Sequence, residues 1–142
     1  MEIKTLTAVD AELIAQYEKE FEKNSKYTLT HILSMVANPQ YVCQAAWENN
    51  KLIGYMFSLV SIDSVDVLKI FILSDYRRRG FGKELLTEII KSYAMKPVYL
   101  EVDESNEVAI NFYKAIGFVR IHMRRNYYDY QKNAIIMVKE PE

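Results

Sequence analysis

The stretch VDVLKIFILSDYRRRGFGKELLTEIIKSYAMKPVYLEV, from Val65 to Val102, decides the fold. VDVLKIFIL is a long apolar run of strand type, and from Gly80 to Met95 the residues Leu85, Leu86, Ile89, Ile90 and Tyr93 make an amphipathic helical stripe. Pro97 then opens a second strand, PVYLEV. Strand, helix and strand in that order are the unit of an α/β sheet. Toward the N-terminus, Glu2 to Leu6 reads as a short strand. A helix follows that Thr7 or Asp10 could cap, with Leu13, Ile14, Tyr17 and Phe21 at helical spacing. A second helix runs from about Thr28 to Asn38 and Pro39. YVCQAAW and KLIGYMFSLVSI are strands flanking Asn49 and Asn50, because asparagine tolerates the positive φ of a tight hairpin. Toward the C-terminus, Asn106 to Ile116 reads as a helix stopped by Gly117, and FVRIHMRRNYY and NAIIMVK close the chain as strands. The expectation is an α/β fold. Its mixed sheet has about seven strands, antiparallel ones first, with about four helices on both faces, in one domain spanning residues 1–142.

Composition narrows the function classes. Half of the 142 residues are hydrophobic and 26% are charged, a globular profile. Lys plus Arg is 18 and Asp plus Glu is 19, so the net charge is 18 − 19 = −1 and no overall positive field exists to hold nucleic acid. The one cysteine, Cys43, has no companion at zinc-ligand spacing, and His31 and His122 lie beside no other ligand type, so no metal is expected. Cys43 reads as a packing residue in a strand. The chain shows neither a basic-then-apolar leader nor an apolar run of about 18 residues, which implies a cytoplasmic protein without a membrane partner.

Against that neutral background, Arg77 to Lys83 holds three of the six arginines and two of the four glycines. A glycine-rich turn between a strand and a helix start leaves backbone N–H groups free where the helix dipole adds partial positive charge. Gly80 and Gly82 let the backbone approach a ligand, and Arg77, Arg78, Arg79 and Lys83 can neutralise phosphates. The combination suits a pyrophosphate, whereas the spacing matches neither GxxxxGK[ST] nor GxGxxG. A solvated basic turn fits the same residues.

Arg77, Arg78, Arg79, Gly80, Phe81 and Gly82 resemble the Q/R-x-x-G-x-G/A signature of the GNAT acetyltransferases. LEVDESNEVAINFYKAIGF, Leu100 to Phe118, is similar to the second characteristic segment of that family, a strand, an Asn-started helix carrying a Tyr, and a GF turn. RRNYY and AIIM near the C-terminus look like the RimI-type branch, whose bacterial members acetylate the N-terminal amine of a ribosomal protein. The resemblance runs from about Val65 to Val138. It implies acetyl-CoA as co-substrate, with the loop from Arg77 to Lys83 holding the pyrophosphate. It also implies backbone groups of Ile70, Phe71 and Ile72 binding the pantetheine like an added strand, and Asn106 contacting the cofactor.

Acetyl transfer from a thioester to an amine needs a neutral amine, a polarised carbonyl and a proton for the leaving thiolate. Alternation in PVYLEVD puts Val98, Leu100 and Val102 on one face and Tyr99, Glu101 and Asp103 on the other. In a sheet covered on both faces Glu101 is expected to be partly buried, although a Glu at a solvated strand end reads the same way. The resemblance implies that Glu101 is the proton acceptor and Tyr113 the acid. By pattern alone Tyr113 also fits a packing role among Ala109, Phe112 and Ile116, and Asn106 an N-cap.

An α-amine, with pKa near 8, is neutral at pH 7 roughly a hundredfold or more often than a lysine, which agrees with the acceptor that the resemblance implies, a protein N-terminus such as that of a ribosomal protein. The chain departs from the branch in two acceptor-facing places. EFEKNSKYTLTHIL lacks its phenylalanine-proline-tryptophan type of segment, and YYDYQKNAIIM is shorter, with Asn133 where an acid is usual. Acidic Asp103, Glu104 and Asp129 near the mouth could attract an amine or form a solvated edge. The alternatives are a small-molecule amine or lysine as acceptor, or an acyl-CoA-binding module without turnover. Either a monomer or a homodimer fits the sequence.

Overall fold

The computed structural model describes residues 1–129 and 132–142; the side chains described are those outside 124–132. The elements run β1 (Glu2–Thr5), α1 (Ala8–Phe21), α2 (Leu29–Ala37), β2 (Tyr41–Glu48), β3 (Lys51–Val60), β4 (Val65–Ile72), α3 (Phe81–Ser92), β5 (Val98–Asp103), α4 (Glu107–Ile116), β6 (Val119–Asp129) and β7 (Lys132–Lys139). A short 3-10 turn, Ser74–Tyr76, lies between β4 and α3. The seven strands form one sheet in the order β1-β2-β3-β4-β5-β7-β6. All pairings are antiparallel except β4 with β5, which the α3 crossover makes parallel. This is the expected mixed α/β sheet.

Local chemistry sets the ends of the elements. Thr7 and Asp10 share the cap of α1, since the Asp10 carboxylate accepts the backbone N–H and the hydroxyl of Thr7, each at 3.0 Å. Asn49 and Asn50 turn the β2–β3 hairpin with φ of 51° and 64°. The Asn106 side chain caps α4 by accepting the Ala109 N–H at 3.1 Å, and Gly117 stops that helix with φ 116°.

Each face of the sheet carries its own core. α3 and α4 pack Phe81, Leu85, Leu86, Ile89 and Tyr113 against Ile53, Met56, Val65, Val67, Leu100 and Val102. Burying Leu85, Leu86 and Ile89 alone is worth about 5–9 kcal/mol, against about 1 kcal/mol for a cap, so packing places α3. On the other face α1 and α2 pack against β2, β3 and β4 through Ile14, Ile32, Cys43, Tyr55, Phe57 and Phe71. Among the described residues that second core draws nothing from β5, β6 or β7, so the helical cover of this face stops at β4. No helix among the described residues is long and apolar enough to cross a membrane.

Two irregularities prepare a site. A register shift between Phe57 and Ser58 sets Lys69 and Val67 opposite them, leaving Leu68 as an extra residue in β4. The β4–β5 pairing comprises only Val65 with Val98, Asp66 with Tyr99 and Val67 with Leu100. Beyond Val67 and Leu100 the two strands part.

Candidate active site

The parting of β4 and β5 exposes the β4 backbone from residue 68 to 72 on its β5 side, where Ile70, Phe71 and Ile72 lie. An extended chain of amides fits there as an added strand. Directly after β4, the loop from Arg77 to Gly80 enters α3 with two left-handed residues, Arg78 at φ 61° and Gly80 at φ 88°. Such reversals turn successive amides toward one side and make an anion-binding concavity. The first intrahelical bond of α3 runs from the Glu84 N–H to the Gly80 carbonyl at 3.0 Å. The N–H groups of Phe81, Gly82 and Lys83 therefore have no backbone acceptor among the described residues. A Cβ placed on Gly80 would meet nothing within 4 Å, so this glycine faces open space. Three unused amides, a helix N-terminus and room beside them fit the pyrophosphate of acetyl-CoA.

The basic side chains of the loop divide. Arg77 donates from Nε to the Ile72 carbonyl at 2.8 Å and covers the Phe71 ring. Arg79 pairs with Glu48 at 3.4 Å and lies over the rings of Tyr76 and Phe81. Both hold the loop against the sheet, leaving exposed Arg78 and Lys83 without a protein partner among the described residues. Gly82 also differs from expectation: a Cβ there would stand 3.3 Å from Phe112 Cζ and 3.8 Å from Ile70 and Ile72, so its missing side chain makes room for α4 and β4.

On the face that α1 and α2 leave uncovered, a cleft of about 890 Å³ opens beside the parted strands. Lys26 and Tyr27 from the α1–α2 connection, Asp66, Val67 and Leu68 of β4, Tyr99, Leu100 and Glu101 of β5, and Ile121 and Ile136 line it with Ser64. Glu101 belongs to this cleft but is exposed, not partly buried as expected. The reason is the limited helical cover, since Val98, Leu100 and Val102 are buried under α3 and α4 while the alternate face of β5 meets no helix core among the described residues. Asp66 is the residue that sequence reasoning missed. Its carboxyl is raised above the ordinary range, by burial first and by the charge of Glu101 second. The signal was present in the sequence, because Asp66 sits in VDV as Glu101 sits in LEV, an acid between two strand-core residues.

Tyr113 lies across β5 from Glu101, in the core with Leu100 and Val102. It is 8% exposed, its ring leans on Phe112 and Phe118, and its hydroxyl has no hydrogen-bond partner among the described residues. Burial pushes its phenol up to about 12. The structure thus puts Ile70, Phe71, Ile72 and the glycine loop together. Glu101 and Tyr113 lie on opposite faces of the strand beside the opening. Asn106, at the start of α4, has its side-chain oxygen committed to the cap.

Other residues singled out in the sequence lie outside this arrangement. Asp103 accepts the N–H and hydroxyl of Ser105, and Glu104 accepts from Asn133 at 2.8 Å, so these acids organise local turns. The side chains of the YYDYQK stretch, that of Asp129 among them, fall outside the described ones. His31 stacks on Tyr27. Cys43 is 4% exposed and its thiol is pushed up to about 11 by burial, so it stays protonated at neutral pH.

Comparison with known proteins adds identity to this geometry. A family model described as Acetyltransferase (GNAT) family matches residues 6–118. The [Ribosomal protein bS18]-alanine N-acetyltransferase of Escherichia coli strain K12 is 35% identical over 96 residues, which span 63% of this chain and 65% of that protein. The crystal structure of the ribosomal-protein-S18-alanine N-acetyltransferase from Escherichia coli superposes with a TM-score of 0.89 at 26% identity, covering 99% of this chain and 94% of that one. An aminoglycoside 6'-N-acetyltransferase complexed with coenzyme A shares the fold at 17% identity, with a TM-score of 0.82 over 98% of this chain and 96% of that one.

Proposed function

The chain belongs to the acetyltransferase (GNAT) family, and from that premise we propose that it transfers the acetyl group of acetyl-CoA to the α-amine of a protein N-terminus. The observation that carries this reading is the parted β4–β5 pair. It is flanked on one side by the unused amides of α3 and on the other by a cleft bearing Asp66 and Glu101. Similarity to the bS18-alanine N-acetyltransferase supports an N-terminal acceptor, and a ribosomal protein is the first class to test.

In this reading the loop amides with Arg78 and Lys83 bind the pyrophosphate, and Ile70, Phe71 and Ile72 offer backbone groups to the pantetheine. Asp66 and Glu101 draw the acceptor ammonium into the cleft, and Glu101 takes a proton from it. The neutral nitrogen forms its bond to the acetyl carbon as the carbon–sulfur bond breaks. The Tyr113 hydroxyl donates a hydrogen bond to the departing sulfur. Full proton transfer is a smaller part of that role than an ordinary phenol would suggest. With Tyr113 at about 12, its buried phenolate stands about 5 kcal/mol above a thiolate of pKa about 8.5. The thiolate then takes its proton from solvent, and the nitrogen releases its second proton to solvent as the amide forms. Because Cys43 lies in the opposite core from the loop and stays a thiol, direct transfer to the amine is favoured over an acyl-cysteine.

The acceptor's chemistry follows from the lining. Two carboxylates beside Leu68, Ile121 and Ile136 suit one ammonium on an apolar stem better than a polycation, which needs more acids than the cleft carries among its described lining residues. Calorimetry is expected to register acetyl-CoA binding that Gly80→Val weakens at least tenfold, since a side chain at φ 88° costs about 1–2 kcal/mol and re-aims the loop. Peptides with free N-termini are expected to turn over, whereas the same peptides with blocked N-termini and aminoglycosides are not. Turnover confined to the aminoglycosides would overturn the acceptor assignment.

A further inference from the structure

We propose that Glu18 and Ser25 form a latch that fixes the α1–α2 wall of the cleft, and that both are positioning residues for the amine acceptor. The proposal rests on the reading of the cleft as the acceptor site. Glu18 lies on α1 at 1% exposure, the only buried acid among the described residues. A carboxylate in that position is costly unless fully partnered, and an apolar residue would anchor α1 to the sheet as well or better. Its partners show what the acid does that an apolar residue cannot. The Tyr55 hydroxyl of β3 donates to one carboxylate oxygen at 2.5 Å, and Lys69 of β4 stands 3.5 Å from the same oxygen. The Ser25 hydroxyl donates to the other at 2.5 Å. Glu18 therefore ties the sheet to the connection between α1 and α2.

From Ser25 the chain of contacts runs to the cleft. Ser25 Oγ accepts the Tyr27 N–H at 3.0 Å, and the Tyr27 hydroxyl donates to the carbonyl of Leu68, the extra residue of β4, at 3.3 Å. The Tyr27 ring is held between His31 and Phe57, with centroids 5.2 and 5.1 Å away. Glu22, at the start of the same connection, pairs with Lys69 at 2.7 Å. Lys26, Tyr27 and Leu68 are all cleft lining, so the latch sets where one wall stands relative to Asp66 and Glu101 on the floor. None of these bonds reaches the loop that starts α3.

The test compares the wild type with Ser25→Ala and Ser25→Thr by two readouts, amide hydrogen exchange across residues 22–28 and steady-state kinetics with an N-terminal peptide. Ser25→Ala is expected to speed exchange at the Tyr27 amide about tenfold, the value of one hydrogen bond, and to raise the acceptor KM by about the same factor. The KM for acetyl-CoA and the kcat at saturation stay within about twofold, and Ser25→Thr restores both readouts. An unchanged acceptor KM, or a KM that rises equally for both substrates, overturns the positioning role. If the wild type acetylates no peptide, the proposed function falls on its own. Exchange then decides the latch alone, and an unchanged Tyr27 amide overturns it.

Discussion

Glu101→Gln is expected to lower kcat for an N-terminal peptide about 10²- to 10⁴-fold at pH 7, the range that a positioned general base supplies, while acetyl-CoA binds with unchanged affinity. The substitution keeps the side chain's size and hydrogen-bonding reach but removes its ability to accept a proton. Because Glu101 is exposed on the uncovered face of β5, the change leaves both cores intact and the midpoint of thermal unfolding should stay put. The pH dependence gives an internal control. An α-amine of pKa about 8 becomes neutral without help as pH rises, its neutral fraction growing about tenfold from pH 7 to 9, so the deficit of the variant shrinks over that interval. A Glu101→Gln variant that matches the wild type at every pH would sink the assignment and return Glu101 to a solvated strand position.

Tyr113→Phe is the second large effect, a fall in kcat of about 10- to 100-fold with little change in either KM. The lost interaction is one hydrogen bond made to the sulfur as charge develops. Packing and chemistry separate cleanly here. The hydroxyl has no partner among the described residues, and the ring contacts with Phe112 and Phe118 survive in phenylalanine, so stability is unchanged or slightly raised. Full turnover in the Tyr113→Phe variant would leave Tyr113 as a core residue alone. The raised phenol adds a pH signature. The folded value of about 12 lies above the ordinary 10, so the fold bears no ionisation penalty from this phenol below about pH 10 and loses stability as pH rises from there through 12. Titration of Tyr113 therefore takes nothing from activity between pH 6 and 10, and any alkaline decline there must come from another group.

The element order was legible because its signals are local. The apolar runs of β3 and β4, the stripe on α3, Asn49 and Asn50 in a turn and Gly117 after α4 each act within a few residues. What escaped was long-range. No sequence period says that the helices of the second core stop at β4, and that limit is why Glu101 is exposed. The bulge at Leu68 and the parting of β4 from β5 likewise depend on which strands meet and in what register. The arginines show the same boundary. Their number suggested four equivalent phosphate ligands with Lys83 among them, yet Arg77 and Arg79 are spent on the Ile72 carbonyl and on Glu48, partners five and thirty-one residues away. Glu18 was hidden more thoroughly still, since an acid on an amphipathic helix normally faces water, and only the approach of Tyr55 and Lys69 from the sheet makes its burial tolerable.

The acetyl group is expected to go from acetyl-CoA to an N-terminal α-amine beside Glu101. The direct measurement uses one peptide with a free N-terminus and an internal lysine, incubated with the enzyme and acetyl-CoA and sequenced by tandem mass spectrometry. The expected product carries a single acetyl group on the first residue, formed at a rate that Glu101→Gln lowers about 10²- to 10⁴-fold at pH 7. Acetyl on the lysine side chain, or an unmodified peptide beside intact acetyl-CoA, would contradict it.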